Sequence, residues 1–190
     1  TPCGTCWACE ARAPGLIPDP APMTEVALSL GSNLGDRLAH LRAARDRIAA
    51  LPGVRLVAQA PVYETEPVGV QPAYAHLSYL NTVLIVQTGL PVPELHRALA
   101  RIEEELGRVR GADRFAPRTM DIDLLHADDQ VQQTDRLTLP HPRWAQRRFV
   151  LQPWCDLCPE RILPGTDRTL REHLAALPPG EAIKLHARVW

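Results

Sequence analysis

Two aspartates, Asp121 and Asp123, carry the clearest chemical signal in this sequence. They flank Ile122 within the segment 119–126, whose composition favours a strand. Side chains at positions i and i+2 of a strand lie on one face, with Cα atoms about 7 Å apart. Two carboxylates placed in this way can hold Mg²⁺, which prefers oxygen ligands and shares its coordination shell with phosphates. The same spacing is also common on solvated strand faces, so the spacing alone leaves both interpretations open.

Arginines surround the two acids along the chain. Of the 21 basic residues only Lys184 is a lysine. Arg108, Arg110, Arg114 and Arg118 precede the acids, and Arg136, His141 and Arg147 follow them. Guanidinium groups neutralise charge that develops on phosphate oxygens, so acids and arginines together predict metal-dependent transfer of a polyphosphate group. The sequence has neither a GxxxxGK[ST] loop nor the protein-kinase signature set, which excludes those two classes.

A second group of residues suits a flat heterocycle. Tyr79 and Asn81 alternate with Leu80 in a predicted strand and therefore share one face. An aromatic ring can stack on a heterocycle while an amide pairs with its donors and acceptors. As an isolated pattern this is weak, because a strand tyrosine beside an asparagine usually only packs.

The elements that must position these residues follow the order strand, helix, strand, strand, helix, strand. This order predicts an α+β fold of ferredoxin-like type, with helices packed on one face of a mainly antiparallel sheet and helical additions at the C-terminal end. Alternating apolar residues predict strands over 26–30, 54–63, 79–88 and 119–126. Apolar residues at helical spacing predict helices over 38–51, 93–106, 143–157 and 169–177.

The organisation and composition of the chain bear on the number of domains, on the cellular compartment and on the binding of membranes or polyanions. Residues 1–22 show no periodicity and predict a disordered leader, so we expect one domain over 23–190. The five cysteines form an odd count without an export signal, which favours a reducing cytoplasm. No apolar run is long enough for a transmembrane helix, and a net charge of −1 argues against general binding of polyanions.

Five segments of the chain, in order, carry a resemblance to a known family. They are LSLGSNLGD, YETEPVG, YLN, GRVRGADRFAPRTMDIDLL, and LPHPR with RRFVLQP. Over about residues 24–165 the chain resembles the 6-hydroxymethyl-7,8-dihydropterin pyrophosphokinase family of folate biosynthesis. The resemblance implies transfer of the pyrophosphoryl group of ATP to the pterin hydroxymethyl oxygen, with release of AMP. It also implies ATP as co-substrate and two Mg²⁺ ions.

The resemblance further implies roles for individual residues. The catalytic set would be Asp121, Asp123, Arg108 and Arg118, with the two aspartates as metal ligands. The pterin side would comprise Thr65, Pro67, Val68, Tyr79, Asn81 and Phe149, of which the two aromatic residues sandwich the ring. The ATP side would comprise Glu103, Arg110, Phe115, Arg136, His141 and Arg147.

Three positions depart from the family pattern. Ala100 stands where an amide is frequent, Phe115 where a tryptophan is frequent, and Pro142 where a tyrosine is common. We expect these departures to alter nucleotide affinity more than activity, because the acids and the main arginines remain.

Two other functions use the same features. A metal-dependent phosphohydrolase would use the same acids but would turn over without a pterin acceptor. A ferredoxin-like RNA-binding module would need exposed strand aromatics and broader positive charge, whereas the chain has nine aromatic residues. We therefore expect ATP and hydroxymethyldihydropterin as small-molecule partners, no nucleic acid, no membrane, and a monomer.

Overall fold

A six-stranded sheet with helices on both faces organises the residues that the computed structural model describes, which are 22–67, 71–108, 117–180 and 182–190. The strands of this sheet are β1 (Thr24–Ser32), β2 (Val54–Gln59), β3 (Val62–Thr65), β4 (Tyr79–Thr88), β5 (Asp121–Ala127) and β8 (Ile183–Ala187). A separate two-stranded sheet contains β6 (Gln132–Gln133) and β7 (Thr138–Leu139). The helices are α1 (Arg37–Ala49), α2 (Val92–Glu105), α3 (Arg148–Leu157) and α4 (Leu170–Ala176).

The strand order is β5-β1-β4-β3-β8, with β2 also paired to β4, and every pair is antiparallel. The predicted α+β class with a mainly antiparallel sheet is confirmed. The predicted helices over 38–51 and 93–106 are confirmed as α1 and α2. Within the described ranges, none of the helices has the length and apolar character needed to cross a bilayer.

Both faces of the sheet carry apolar residues. Successive residues of β4 point to opposite sides, and apolar side chains are present on each side. Leu84 belongs to a core with residues of α1 and α2, whereas Val83 and Ile85 belong to a second core on the other face. Trp154 of α3 and Leu170 of α4 are fully buried in that second core. The helices α1 and α2 lie on one face, and the C-terminal helices α3 and α4 cover the other. The sequence did not predict the side on which the C-terminal helices pack. An uncovered second face would leave these strand residues in water, which is unfavourable for apolar surface.

The segment 54–63, predicted as a single strand, is divided into β2 and β3. Both strands pair with β4. The strand β2 pairs with the second half of β4, and β3 pairs with the first half of β4. Between them the Ala60 N–H still donates to the Val83 carbonyl (2.9 Å), whereas Pro61 has no N–H to give. The carbonyls of Ala60 and Pro61 accept hydrogen bonds from the Thr82 hydroxyl instead (3.0 and 3.2 Å). Pro61 therefore interrupts the hydrogen bonds to β4 at one point, while β2 and β3 both remain paired with β4.

The C-terminal part differs from the prediction in two ways. The helix expected over 143–157 begins only at Arg148, after a 3₁₀ turn at Trp144–Gln146, and it continues through Pro153. The strand β8 was not expected, and it pairs with β3 at one edge of the sheet. Its three central residues are exposed, so its sequence carries little of the apolar signal that marks a buried strand.

Candidate active site

The two aspartates lie at the beginning of β5, the strand at one end of the sheet order. Across the ladder, Asp121 pairs with Gly31 and Asp123 with Ser29 of β1, two small residues that leave room above the strand. Ile122 between them is 6 % exposed and packs in the opposite core. The regular register from Asp121 to Asp123 gives the shared face that strand alternation predicted.

The environment of Asp123 favours a cation. Burial and the adjacent charge of Asp121 raise the pKa of Asp123 to about 6, although the side chains of Arg147 and Arg108 oppose this rise. The side chain is nevertheless 39 % exposed, so solvent and ligands can reach the carboxylate. A divalent cation between the two carboxylates would stabilise both charged forms and remove the repulsion between them.

The end of α2 positions the first arginine. Gly107 adopts a left-handed φ of +87°, its N–H donates to the Glu104 carbonyl (3.0 Å), and the N–H of Arg108 donates to the Glu103 carbonyl (3.0 Å). This pair of bonds is a Schellman motif, for which glycine is the favoured residue at the left-handed position. Gly107 therefore ends the helix. The motif turns the chain so that Arg108 folds back onto the helix it leaves.

Glu103 is a buried carboxylate, 4 % exposed, that joins α2 to β5. Its Oε1 accepts the backbone N–H of Ile122 (2.7 Å) and forms an ion pair with Arg108. Arg108 in turn donates from Nη1 to Asp121 Oδ1 (2.6 Å), and the two acids raise the pKa of Arg108. Glu103 thus holds both the backbone next to Asp121 and the guanidinium that faces it.

Arg118 reaches the same carboxylate from the other side, with Nη1 3.2 Å from Asp121 Oδ2. Its backbone is fixed by Asn33, whose Oδ1 accepts the Arg118 N–H (2.8 Å) and whose N–H donates to the Arg118 carbonyl (3.3 Å). Ser32, Asn33 and Asp36 are all of residue types that favour the N-cap of a helix. In the structure Asp36 caps α1, because its side chain accepts the Ala39 N–H, whereas Asn33 binds Arg118.

His141 and Arg147 lie beside the second carboxylate. Asp123 Oδ2 is 3.6 Å from Arg147 Nη1 and 3.9 Å from His141 Nε2. Burial and the charges of Arg147 and Arg143 lower the pKa of His141 to about 4, so the imidazole is neutral at pH 7. Its Nδ1 accepts the backbone N–H of Arg143 (3.1 Å), which leaves the ring proton on Nε2. His141 therefore presents a neutral N–H donor beside Asp123.

Tyr79, Asn81 and Thr65 lie together on the face of the sheet that carries Asp121 and Asp123, and we refer to this group as the pocket. Asn81 and Thr65 are 4 % and 6 % exposed, and the Asn81 amide donates from Nδ2 to Thr65 Oγ1 (2.7 Å). Burial is the main cause that raises the pKa of Tyr79. Gly31 forms the floor, because a Cβ there would lie 3.0 Å from Asn81 Oδ1 and 4.0 Å from the Tyr79 ring.

The remaining sequence-predicted residues have different locations. Phe149, in the first turn of α3, is partly buried, and the Arg147 guanidinium lies 5.5 Å from its ring centre. Pro67 is the last described residue before the gap at 68–70. The predictions for Val68, Arg110 and Phe115, and for the leader except Pro22, lie outside the described residues.

A cavity of about 410 Å³ lies beside α2 and β5. It is lined by His96, Arg97, Ala100, Glu103, Ile122 and Arg136. Glu103 and Arg136 were predicted for the nucleotide side, and the structure brings them to one cavity. His96 and Arg97 were not predicted. A signal existed, because His96, Ala100 and Glu103 follow the i, i+4, i+7 spacing of one helix face.

Paired carboxylates in contact with arginines, on the sheet face that also carries Tyr79 and Asn81, are typical of enzymes that transfer phosphoryl groups with a divalent cation. A family model described as 7,8-dihydro-6-hydroxymethylpterin-pyrophosphokinase (HPPK) matches residues 27–159. The chain belongs to this family, as the resemblance of its five segments indicated.

Curated relatives agree with the family. The 2-amino-4-hydroxy-6-hydroxymethyldihydropteridine pyrophosphokinase of Methylorubrum extorquens is 39 % identical over 157 residues, which cover 83 % of this chain and 96 % of that protein. The protein of the same name from Pseudomonas aeruginosa is 42 % identical over 153 residues, which cover 80 % of this chain and 91 % of that protein. The folic acid synthesis protein fol1 of Schizosaccharomyces pombe is 35 % identical over 162 residues. That match covers 84 % of this chain but only 21 % of fol1.

Solved structures share the fold. A structure described as HPPK-DHPS in complex with substrates aligns with a TM-score of 0.63 at 12 % identity, covering 82 % of this chain and 43 % of that one. Wild-type HPPK-DHPS of Plasmodium falciparum with SDX-DHP aligns with a TM-score of 0.61 at 13 % identity. The alignment covers 83 % of this chain and 45 % of that chain. The chain spans less than half of both solved chains, and at this identity the likeness concerns the fold alone.

Proposed function

We propose that this chain transfers the pyrophosphoryl group of ATP to the hydroxymethyl group of 6-hydroxymethyl-7,8-dihydropterin and releases AMP, a step of folate biosynthesis. Membership of the HPPK family and the names of the two bacterial relatives support this function. The observation that carries it is the position of Asp121 and Asp123. Their shared face continues into the pocket of Tyr79 and Asn81, while β5 itself borders the cavity beside α2.

The residues present fit a magnesium-dependent site. Within the described ranges no group of three or more His, Cys, Asp or Glu side chains could enclose a metal ion, so the protein offers two carboxylates here. Mg²⁺ keeps several water ligands and takes others from substrate phosphates, so two carboxylates suffice. We propose that Asp121 and Asp123 hold two Mg²⁺ ions with ATP. When bound, Mg²⁺ supplies positive charge that stabilises the phosphoryl oxygens during transfer.

Arg108 and Arg118 are proposed to hold the phosphate groups. Their guanidiniums compensate the charge of Asp121 in the structure, and they lie on both sides of it. Arg108 makes its contacts with Glu103 and Asp121 through Nη1, and a guanidinium carries five N–H donors in a planar fork. It can therefore bind a phosphate oxygen while Glu103 keeps it in place. Catalysis then rests on positioning and on charge neutralisation, which phosphoryl transfer mainly requires.

His141 and Arg147 are proposed to act at the Asp123 end of the site. The neutral imidazole can donate from Nε2 to a phosphate oxygen without adding a charge beside Arg147. Arg147 supplies the positive charge and also lies against Phe149. This arrangement links the phosphate side to the aromatic residue assigned to the pterin side.

Tyr79, Asn81, Thr65 and Phe149 are proposed to bind the pterin. The buried Asn81 amide, fixed by Thr65, can pair with the donor and acceptor edge of the heterocycle, and the aromatic rings can stack on its faces. Glu103, Arg136, His96 and Arg97 are proposed to line the site of the ATP nucleoside, because they border the cavity beside β5. We also propose that the fold is ferredoxin-like, which the strand order β5-β1-β4 with β2 and β3 beyond it supports.

A product assay tests the proposed function. The protein is incubated with ATP, Mg²⁺ and 6-hydroxymethyl-7,8-dihydropterin, and the nucleotides are separated by ion-exchange chromatography. We expect AMP to form only when the pterin is present and only without EDTA. Pterin-independent AMP would favour the metal-dependent phosphohydrolase instead. Formation of ADP would contradict attack at the β-phosphorus.

A further inference from the structure

Three polar side chains on the α1 face of the sheet form a cluster that none of the proposed roles uses. Arg37, the first residue of α1, donates from Nη1 to the Ser78 carbonyl (2.9 Å) and to Ser78 Oγ (2.7 Å). The same nitrogen lies 2.9 Å from Glu64 Oε1. Ser78 Oγ donates to Glu64 Oε1 (2.8 Å), which closes a ring of contacts among the three residues. We refer to Arg37, Glu64 and Ser78 as the clamp.

The clamp joins the two ends of the segment that connects β3 and β4. Glu64 precedes Thr65, the last residue of β3, and Ser78 precedes Tyr79, the first residue of β4. Thr65 and Tyr79 form the final pair of the β3–β4 ladder. Because neighbouring strand residues point to opposite faces, the clamp lies beneath the pocket whose side chains are Thr65 and Tyr79.

Backbone contact distinguishes the clamp from an ordinary surface ion pair. The Ser78 carbonyl that accepts from Arg37 belongs to the peptide bond leading into Tyr79, so the guanidinium fixes the position of that aromatic residue directly. Arg37 and Glu64 side chains are 26 % and 32 % exposed, which shields them partly from water. Hydrogen bonds from Ser78 and Arg37 lower the pKa of Glu64, so it is charged at neutral pH.

We propose that Arg37 is a positioning residue for the pterin pocket. It holds the end of β3 against the start of β4, and so sets the spacing between Thr65 and Tyr79 on the opposite face. This inference rests on the proposed function, because it assigns the pocket to the pterin. The affected quantity is affinity for the heterocycle, while the cavity beside α2 and the acids of β5 lie elsewhere in the sheet.

The test measures binding of 6-hydroxymethylpterin, the oxidised form of the substrate, to the full chain. The titration contains Mg²⁺ and α,β-methylene ATP, which cannot release AMP, and it follows the pterin fluorescence. We expect Arg37→Met to raise the Kd for the pterin about tenfold and to leave the Kd for the nucleotide within twofold. Arg42→Met is the matched control, because Arg42 is an exposed arginine of the same helix, and both Kd values should stay within twofold.

Further variants separate positioning from stability. Glu64→Gln should raise the pterin Kd less than Arg37→Met, and the double variant should be no weaker than Arg37→Met alone, because the residues act as one unit. Arg37→Lys should restore only part of the affinity, since an ammonium is a point charge that cannot reproduce the fork of a guanidinium. Melting temperatures are recorded for every variant.

The outcomes are distinguishable. Absence of pterin binding by the wild-type chain would contradict the proposed function. Normal wild-type binding together with an unchanged pterin Kd in Arg37→Met would overturn the inference, whatever the melting temperature does. Equal losses of pterin and nucleotide affinity in Arg37→Met would also overturn it, because such losses would indicate a general structural role.

Discussion

Arg118→Ala separates a catalytic contribution from a structural one. Its guanidinium lies 3.2 Å from Asp121 Oδ2, and its backbone is held by Asn33 through two hydrogen bonds that the substitution leaves in place. Asp121 also keeps its contact with Arg108 at 2.6 Å. The substitution therefore removes one donor from the site without leaving the carboxylate unpaired.

The size of each effect follows from these contacts. The Arg118 and Asp121 side chains are 18 % and 29 % exposed, and an ion pair of this kind contributes about 1 kcal/mol to the free energy of unfolding. For a chain of 190 residues this corresponds to a fall in Tm of about 2–4 °C. Loss of one preorganised donor to a developing oxyanion lowers kcat by about 10²–10³-fold.

The assay compares kcat and Tm for the wild-type chain, Arg118→Ala, Arg118→Lys and the control Arg101→Ala, an exposed arginine of α2. Lysine should recover part of kcat because it restores the charge but not the planar fork. The control should match the wild type in both quantities. A kcat for Arg118→Ala within threefold of the wild type would refute the role of Arg118 at the phosphates.

Three further predictions concern other parts of the site. Glu103→Gln removes the buried ionic partner of Arg108, although Asp121 still pairs with that arginine. We therefore expect the free energy of unfolding to fall by about 2 kcal/mol, which corresponds to a decrease in Tm of about 4–8 °C in a thermal melt. An unchanged Tm would contradict this prediction. Because the pKa of Asp123 is raised to about 6, protons compete with the metal below that pH. Calorimetry of Mg²⁺ binding in the presence of an ATP analogue should therefore show an affinity that falls by up to about tenfold per pH unit below pH 6. The fall should be less steep in Asp123→Asn. Equal pH dependence of Mg²⁺ affinity in the two proteins would exclude Asp123 as the titrating group. Ala100→Gln, which places an amide in the 410 Å³ cavity, should lower KM for ATP at least threefold with kcat unchanged; a raised KM would show that the added side chain blocks the cavity.

Local patterns were sufficient to predict the parts of the fold that depend on neighbouring residues. The alternation through Asp121, Ile122 and Asp123 correctly separated the core side of β5 from the other face. Gly107 marked the end of α2, because few residues other than glycine adopt its left-handed conformation readily. The family resemblance supplied the roles of the site residues, which spacing alone left open.

Contacts between distant residues could not be read from the sequence. Asn33 holds Arg118 across a separation of 85 residues, and Arg37 contacts Ser78 across 41. Both contacts depend on how the chain from Asn33 to Arg37 packs against the segments that precede β5 and β4, which no local pattern encodes. Coverage of the second face by α3 and α4 was missed for a similar reason. The helices were expected, but their side of the sheet follows from packing against residues such as Val83.

Single turnover with [β-³²P]ATP tests the proposed pyrophosphoryl transfer, because it follows the group that moves. Enzyme in excess over ATP is mixed with Mg²⁺ and 6-hydroxymethyl-7,8-dihydropterin, and the products are separated after quenching. We expect the label to leave the nucleotide and to appear in the pterin diphosphate at the rate at which AMP forms. Label retained in ADP, or released as inorganic pyrophosphate without pterin product, would contradict it.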